Sequence, residues 1–168
     1  MAERKPRKAN AEGHRRKFLV IVDETPECES AVYFSACRAR NTGSDLQMLF
    51  VVESEDFQHW LSVEAIHHQE GEQKAAAVFR LYQRKLNSWG FEEIALHEAV
   101  RHGTKPEQII EAIEDDEDIS FLVLGASTSA EGPGTLVSQL AGKQAGSFPV
   151  PIVVIPGALE LHEIEALA

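Results

Sequence analysis

The sequence predicts an α/β domain built on an open parallel sheet with helices on both faces. Two observations predict it. Short apolar runs, interrupted only at Gln47, occur at Phe18–Val22, Leu46–Val52, Phe121–Leu124 and Ile152–Ile155, which is the pattern of strands buried on both faces. Between them lie segments with apolar residues at helical spacing, and strands alternating with helices imply right-handed parallel crossovers. A length of 168 residues suits one domain rather than two, with enough chain for a core without staples.

The elements follow in order. Residues 1–17 form a basic leader with seven of the sixteen lysines and arginines, expected to be solvated and disordered. After strand Phe18–Val22, Thr25 is the expected N-cap and Pro26 the first residue of a helix. Ala31, Val32, Ser35, Ala36 and Ala39 are its small-residue stripe, and Asn41–Ser44 ends it. Strand Leu46–Val52 follows, then a loop over Glu53–Gln58. A long helix runs from about Val63 to Trp89, with Ala75, Phe79, Tyr82, Leu86 and Trp89 on one face. Ile94–Arg101 alternates loosely, as an edge strand would. Thr104 and Glu107 have capping-box spacing before a helix whose core face is Ile109, Ile110 and Ile113. The acidic run Glu114–Asp118 reads as a solvated turn. Strand Phe121–Leu124, a loop over Gly125–Thr135, a helix over Leu136–Ala145 and strand Ile152–Ile155 complete the body. Residues 158–168 are a short acidic tail.

Composition excludes several functions. Apolar residues at 43% and charged residues at 26% describe a globular chain with no run approaching a membrane span. No secretory signal pattern is present, so the expected location is cytoplasmic. The formal charge is −11, with the leader at +5 and residues 18–168 at −16. Such a body repels nucleic acid and anionic membrane. Cys28 and Cys37 lie on opposite sides of one helix and are not expected to pair; Cys37, followed by Arg38, is expected to be a buried, inert thiol. His59, His67 and His68 read as solvated helix residues, since adjacent histidines point about 100° apart. No metal site is expected. Gly-x-Ser-x-Gly, a Walker A loop and Gly-x-Gly-x-x-Gly are absent, and no catalytic residue is assigned.

Three segments, in order, resemble the universal stress proteins. They are FLVIVDETPECESAV, RHGTKPEQIIEAIEDDEDISFLVLG and GASTSAEGPGTLV. The resemblance spans about Lys17 to Pro156. It implies a five-stranded sheet ordered 3-2-1-4-5, a dimer and an ATP-type ligand. Nucleotide-binding members carry Gly-x2-Gly-x9-Gly-Ser/Thr. Here Gly125 matches the first glycine, Thr128 stands at the second, and Gly134-Thr135 is the closing pair after a shortened stretch containing Gly132 and Pro133. Some family members lack the motif and are not thought to hold ATP.

With that strand order, the ligand belongs outside the carboxyl ends of the first and fourth strands. Asp23, Gly125, Ser127, Thr128, Gly134 and Thr135 are the candidate contacts, with Asp23 toward the nucleoside or a Mg²⁺ ion and the loop toward phosphate. The resemblance also implies that the Val51 backbone meets the adenine edge. Against these stand plainer roles: Asp23 as a helix-capping residue, and the glycines as a turn. The expected function is a small stress-response protein that binds ATP, AMP or a related adenine nucleotide and acts through partners, with slow ATP hydrolysis as a further implication of the resemblance. The alternative is a dimeric interaction protein with a vestigial site. Ile152–Ile155, flanked by prolines, is the expected edge strand for antiparallel pairing in a homodimer. The tail is expected to fray, or to cross to the partner through Leu161, Ile164 and Leu167.

Overall fold

A computed structural model describes residues 4–53 and 61–168. Its five-stranded sheet is parallel throughout, with strands β1 (Lys17–Ile21), β2 (Asp45–Val52), β3 (Leu96–His102), β4 (Ile119–Ala126) and β5 (Ile152–Pro156) in the order β3-β2-β1-β4-β5. The apolar runs alternate faces because successive side chains on a strand point oppositely. Phe18, Val20, Leu46, Met48, Phe50 and Val123 bury on one face, and Leu19, Ile21, Leu49, Val51, Leu122 and Leu124 on the other. The first face is covered by helices α1 (Cys28–Thr42), α2 (Leu61–Ser88) and α5 (Leu161–Leu167). The second is covered by α3 (Lys105–Asp115) and by the segment that starts at α4 (Thr135–Val137). Among the described residues no helix is long and apolar enough to cross a membrane.

The small-residue stripe of α1 is fully buried, which lets the helix lie close on the sheet. Gly43, in the left-handed conformation at φ 63°, ends it and donates its N–H to the Ala39 carbonyl. Ala75, Phe79, Tyr82 and Leu86 of α2 are buried as their spacing requires, and Trp89 packs edge-on against Tyr33. Both cysteines are free and buried. Burial pushes the Cys28 thiol up to about 12 and raises Cys37 as well, despite Arg40 nearby, so neither is a thiolate at neutral pH.

Several expectations are corrected. Helix α1 begins at Cys28 rather than at Pro26, because Thr25 is held in a turn: the Asp23 carboxylate accepts its backbone N–H and its hydroxyl. Thr104 is the N-cap of α3, but its side chain makes no capping hydrogen bond. The reciprocal box forms instead at α5, between Glu160 and Glu163. The single helix expected over Leu136–Ala145 is one α turn, then a π-helical stretch over Ser138–Lys143 and a 3-10 turn over Ala145–Ser147. Gly142 and Gly146 weaken an α-helix there, while Leu140 is fully buried and anchors the segment.

The leader is docked rather than disordered over its described residues. Lys8 pairs with Glu117, His14 with Asp118 and Lys17 with Asp116. Arg7 donates to the carbonyls of Ile113 and Asp116 at the C-terminus of α3, where a cation meets the negative end of the helix. The acidic run Glu114–Asp118 is therefore the leader's dock and not simply a solvated turn. Opposite charge brings the segments together, and the Lys8 N–H to Glu117 carbonyl bond at 2.8 Å sets their register. The tail packs on its own chain rather than fraying. Ile164 is fully buried in the same chain, and the Ala168 carbonyl accepts a hydrogen bond from Asn41 of α1.

Candidate functional site

The sheet reverses its strand order between β1 and β4, and the loops leaving their carboxyl ends diverge there. A groove of three adjoining cavities occupies that place. Its middle is a narrow chamber of about 130 Å³ lined by Asp23, Thr25, Glu27, Lys105, Gly125 and Gly134. Toward β2 it opens into a cleft of about 390 Å³ with Val51, Gly71 and Lys74 on its walls. Toward α4 it widens to about 690 Å³ between Ser127, Glu131, Thr135, Lys143 and Gln144. The chamber shares Asp23, Thr25 and Lys105 with the first cleft and Glu27, Gly134 and Thr135 with the second.

The candidate residues distribute along this groove. Asp23, Val51, Gly125, Ser127, Gly134 and Thr135 line it; Thr128 is exposed and does not. Val51 has a specific geometry. The Leu49 carbonyl accepts the Val22 N–H on the β1 side of β2, and the Val52 carbonyl accepts the Gly103 N–H on the β3 side. Strand alternation therefore turns the Val51 backbone toward the β1 side, where β1 has already ended.

Gly125 answers to packing first. A Cβ there would stand 2.4 Å from the Glu27 carbonyl oxygen, so only glycine lets β4 pass the start of α1. Gly134 is different: its φ is 104° and nothing lies within 4 Å of a Cβ built on it, so its requirement is conformational and its surroundings are open. The loop between them is closed by a Ser127 N–H to Pro133 carbonyl bond of 3.0 Å. Within it the Ser127 hydroxyl accepts the Ser129 N–H, and the Ser129 hydroxyl accepts the Glu131 N–H. These hydroxyls shape the loop before they meet any ligand.

The groove also holds charged residues outside the candidate set. Lys105, half-buried at the first turn of α3, reaches the chamber and the β2 cleft. Lys143 lies on the α4 side, and Glu27 and Glu131 face the same space. Lys105 was hidden in the sequence because it looks like an ordinary surface lysine beside Pro106. Its signal was position, one residue past a turn that the strand order carries beside the switch point.

Comparison with known proteins agrees with this architecture. No curated protein sequence matches the chain significantly. Among solved structures, the universal stress protein UspA from Lactobacillus plantarum superposes with a TM-score of 0.67 at 18% identity, covering 84% of this chain and 97% of that one. A universal stress protein solved in complex with cAMP gives 0.59 at 14% identity, over 84% and 97%. A universal stress protein family protein from Arabidopsis thaliana with AMP bound gives 0.53 at 16%, over 84% and 91%. At these identities the likeness speaks to fold. The sequence itself is matched by the universal stress protein family model over residues 14–156, which takes in all five strands and stops at the end of β5. On that match, and on the strand order it shares, the chain belongs to the universal stress protein family.

Proposed function

We propose that this protein binds an adenine nucleotide, ATP or AMP, in the groove at the switch point and acts through partners as a stress-response protein of the cytoplasm. The observation that carries the reading is the row of adjoining cavities from the Val51 backbone, past Asp23 and Lys105, to Gly134 and Lys143. An adenine on Val51 and phosphates beside the open Gly134 turn would span that length. Lys105 and Lys143 supply positive charge. Asp23, with Mg²⁺ bound, would orient the phosphates. Two solved family members carry cAMP and AMP, in agreement with the same ligand class.

A second reading, a dimeric interaction protein with a vestigial groove, is favoured by a different observation. Asp23 is engaged by Thr25, Ser127 by Ser129, and Glu27 and Glu131 add negative charge. The two readings part in one experiment. The nucleotide reading expects the melting temperature to rise with ATP and Mg²⁺, because a ligand for the folded state stabilises it. No shift at millimolar ATP, AMP or cAMP would leave the second.

The proposed assembly is common to both. β5 lies at the sheet edge with Ile152, Val153 and Val154 half-exposed. Antiparallel pairing of Ile152–Ile155 with its two-fold copy would cover that edge and close at a homodimer, with Pro149, Pro151 and Pro156 limiting the ladder. Light scattering tests it: Val154→Lys should shift the dimer toward monomer, and a monomeric parent at tens of micromolar would remove the proposal.

A further inference from the structure

We propose that His68, Glu72 and His102 form a binding site for a divalent transition-metal ion of the zinc class. Their donor atoms all lie within 4.8 Å of one another. His102 Nε2 is 2.7 Å from Glu72 Oε1, and His68 Nε2 is 3.9 Å from the same oxygen. The two imidazoles lie face to face, with centroids 3.7 Å apart and planes within 7°. Two adjacent histidines, His67 and His68, cannot share an ion; the second imidazole comes instead from the end of β3.

The fold holds these donors together. His68 and Glu72 are four apart on α2 and share a face. His102 is the last residue of β3, in register with Val52 of β2. Gly71 sits between the two helical donors, and a Cβ on it would fall 2.3 Å from a Val52 methyl carbon. A glycine inside a helix costs about 1 kcal/mol relative to alanine. Here it permits α2 to lie against the end of β2, which sets His68 and Glu72 over His102.

The donor set selects the ion. Two imidazole nitrogens and one carboxylate oxygen suit Zn²⁺, Co²⁺ or Ni²⁺, whereas Mg²⁺ and Ca²⁺ prefer oxygen alone. Tetrahedral ligands at bond lengths of about 2.0–2.1 Å stand about 3.3 Å apart. The trio reaches that spacing by side-chain rotation, for which His68, with 58% of its side chain exposed, is free. In the stacked arrangement the in-plane lone pairs of the two rings run parallel, so His68 turns out of the stack to point its nitrogen at an ion shared with Glu72 and His102. A cation bound by both rings and the carboxylate engages all three donors, and the −16 charge of residues 18–168 favours its capture. Three protein ligands leave a fourth position for water. The site does not depend on nucleotide binding.

The test uses the untagged full-length chain, stripped with chelator and titrated with Zn²⁺ by calorimetry, with Co²⁺ absorption as a second readout. One ion should bind per chain in the micromolar range, and Co²⁺ should give the intense visible bands of a four- or five-coordinate nitrogen–oxygen site. Loss of an outer-shell partner typically weakens a metal about 10–100-fold, so His68→Ala, Glu72→Gln and His102→Ala should each weaken Zn²⁺ at least that much. His14→Ala, His67→Ala and His97→Ala should leave it unchanged. Exposed His68→Ala keeps the test valid if His102→Ala fails to fold. No binding at millimolar Zn²⁺, or binding indifferent to His68→Ala, would overturn the proposal, as would loss of the ion on His67→Ala alone.

Discussion

Lys105→Ala probes the proposed nucleotide groove at its narrowest point. Lys105 bounds both the chamber at Asp23 and the cleft at Val51, so a nucleotide with its adenine at Val51 and its phosphates toward Gly134 passes beside it. Opposed to it, Glu27 lines the chamber and the α4 cleft. A unit charge pair about 6 Å apart at an effective dielectric of about 20 interacts by about 3 kcal/mol. Physiological salt and the open groove reduce that by about half, leaving about 1.4 kcal/mol, or tenfold in affinity. Calorimetric titration with ATP should therefore show Lys105→Ala binding about tenfold more weakly, with the difference shrinking as salt rises. Glu27→Gln should move the other way and tighten Mg²⁺-free ATP, because it removes a like charge. Its effect should shrink with Mg²⁺ present, since the ion neutralises part of the phosphate charge. Unchanged affinity in Lys105→Ala, or weaker Mg²⁺-free binding in Glu27→Gln, would refute this account of the groove.

The remaining predictions concern what holds the site in place. Gly125→Ala should destabilise the fold by about 1–3 kcal/mol in urea unfolding, because its methyl meets the Glu27 carbonyl oxygen and the backbone must give way. A variant as stable as the parent would mean that the approach is not tight. Ile164→Ala should cost about 2–5 kcal/mol, toward the lower end because a terminal helix can undock locally, and the oligomeric state should not change since the contact lies within one chain. A loss of dimer with no loss of stability would instead place α5 on the partner. Asp45 is buried, which alone would raise its pKa, but hydrogen bonds from His97 and Arg15 outweigh burial and hold the carboxyl below its ordinary value. A depressed folded pKa contributes stability above the unfolded value, about pH 4, that is lost as pH falls through the folded one. Stability measured from pH 6 downward should fall less steeply in Asp45→Asn than in the parent, and parallel curves would refute the assignment.

Read without coordinates, the chain already determined its sheet. Short apolar runs alternating with helical segments suit strands buried on both faces of a parallel α/β layer, and helical spacing in α1, α2 and α3 marked which residues meet it. The switch point and most of its candidate residues followed from the family resemblance, since strand order carries Asp23 and the Gly125–Thr135 loop to one edge. Tertiary structure decided what depends on contacts between distant segments. The basic leader looked disordered because local composition offers no core, yet the acidic run 100 residues later supplies its partners. Lys105 and Glu27 carry no motif; the turn of α3 and the start of α1 bring them together at the groove. His102 sits 34 positions from His68, and neither carries a motif. Only the close approach of α2 to β2 at Gly71 places them together. Periodicity reports which face of an element is buried; it holds no information on which element arrives to bury it.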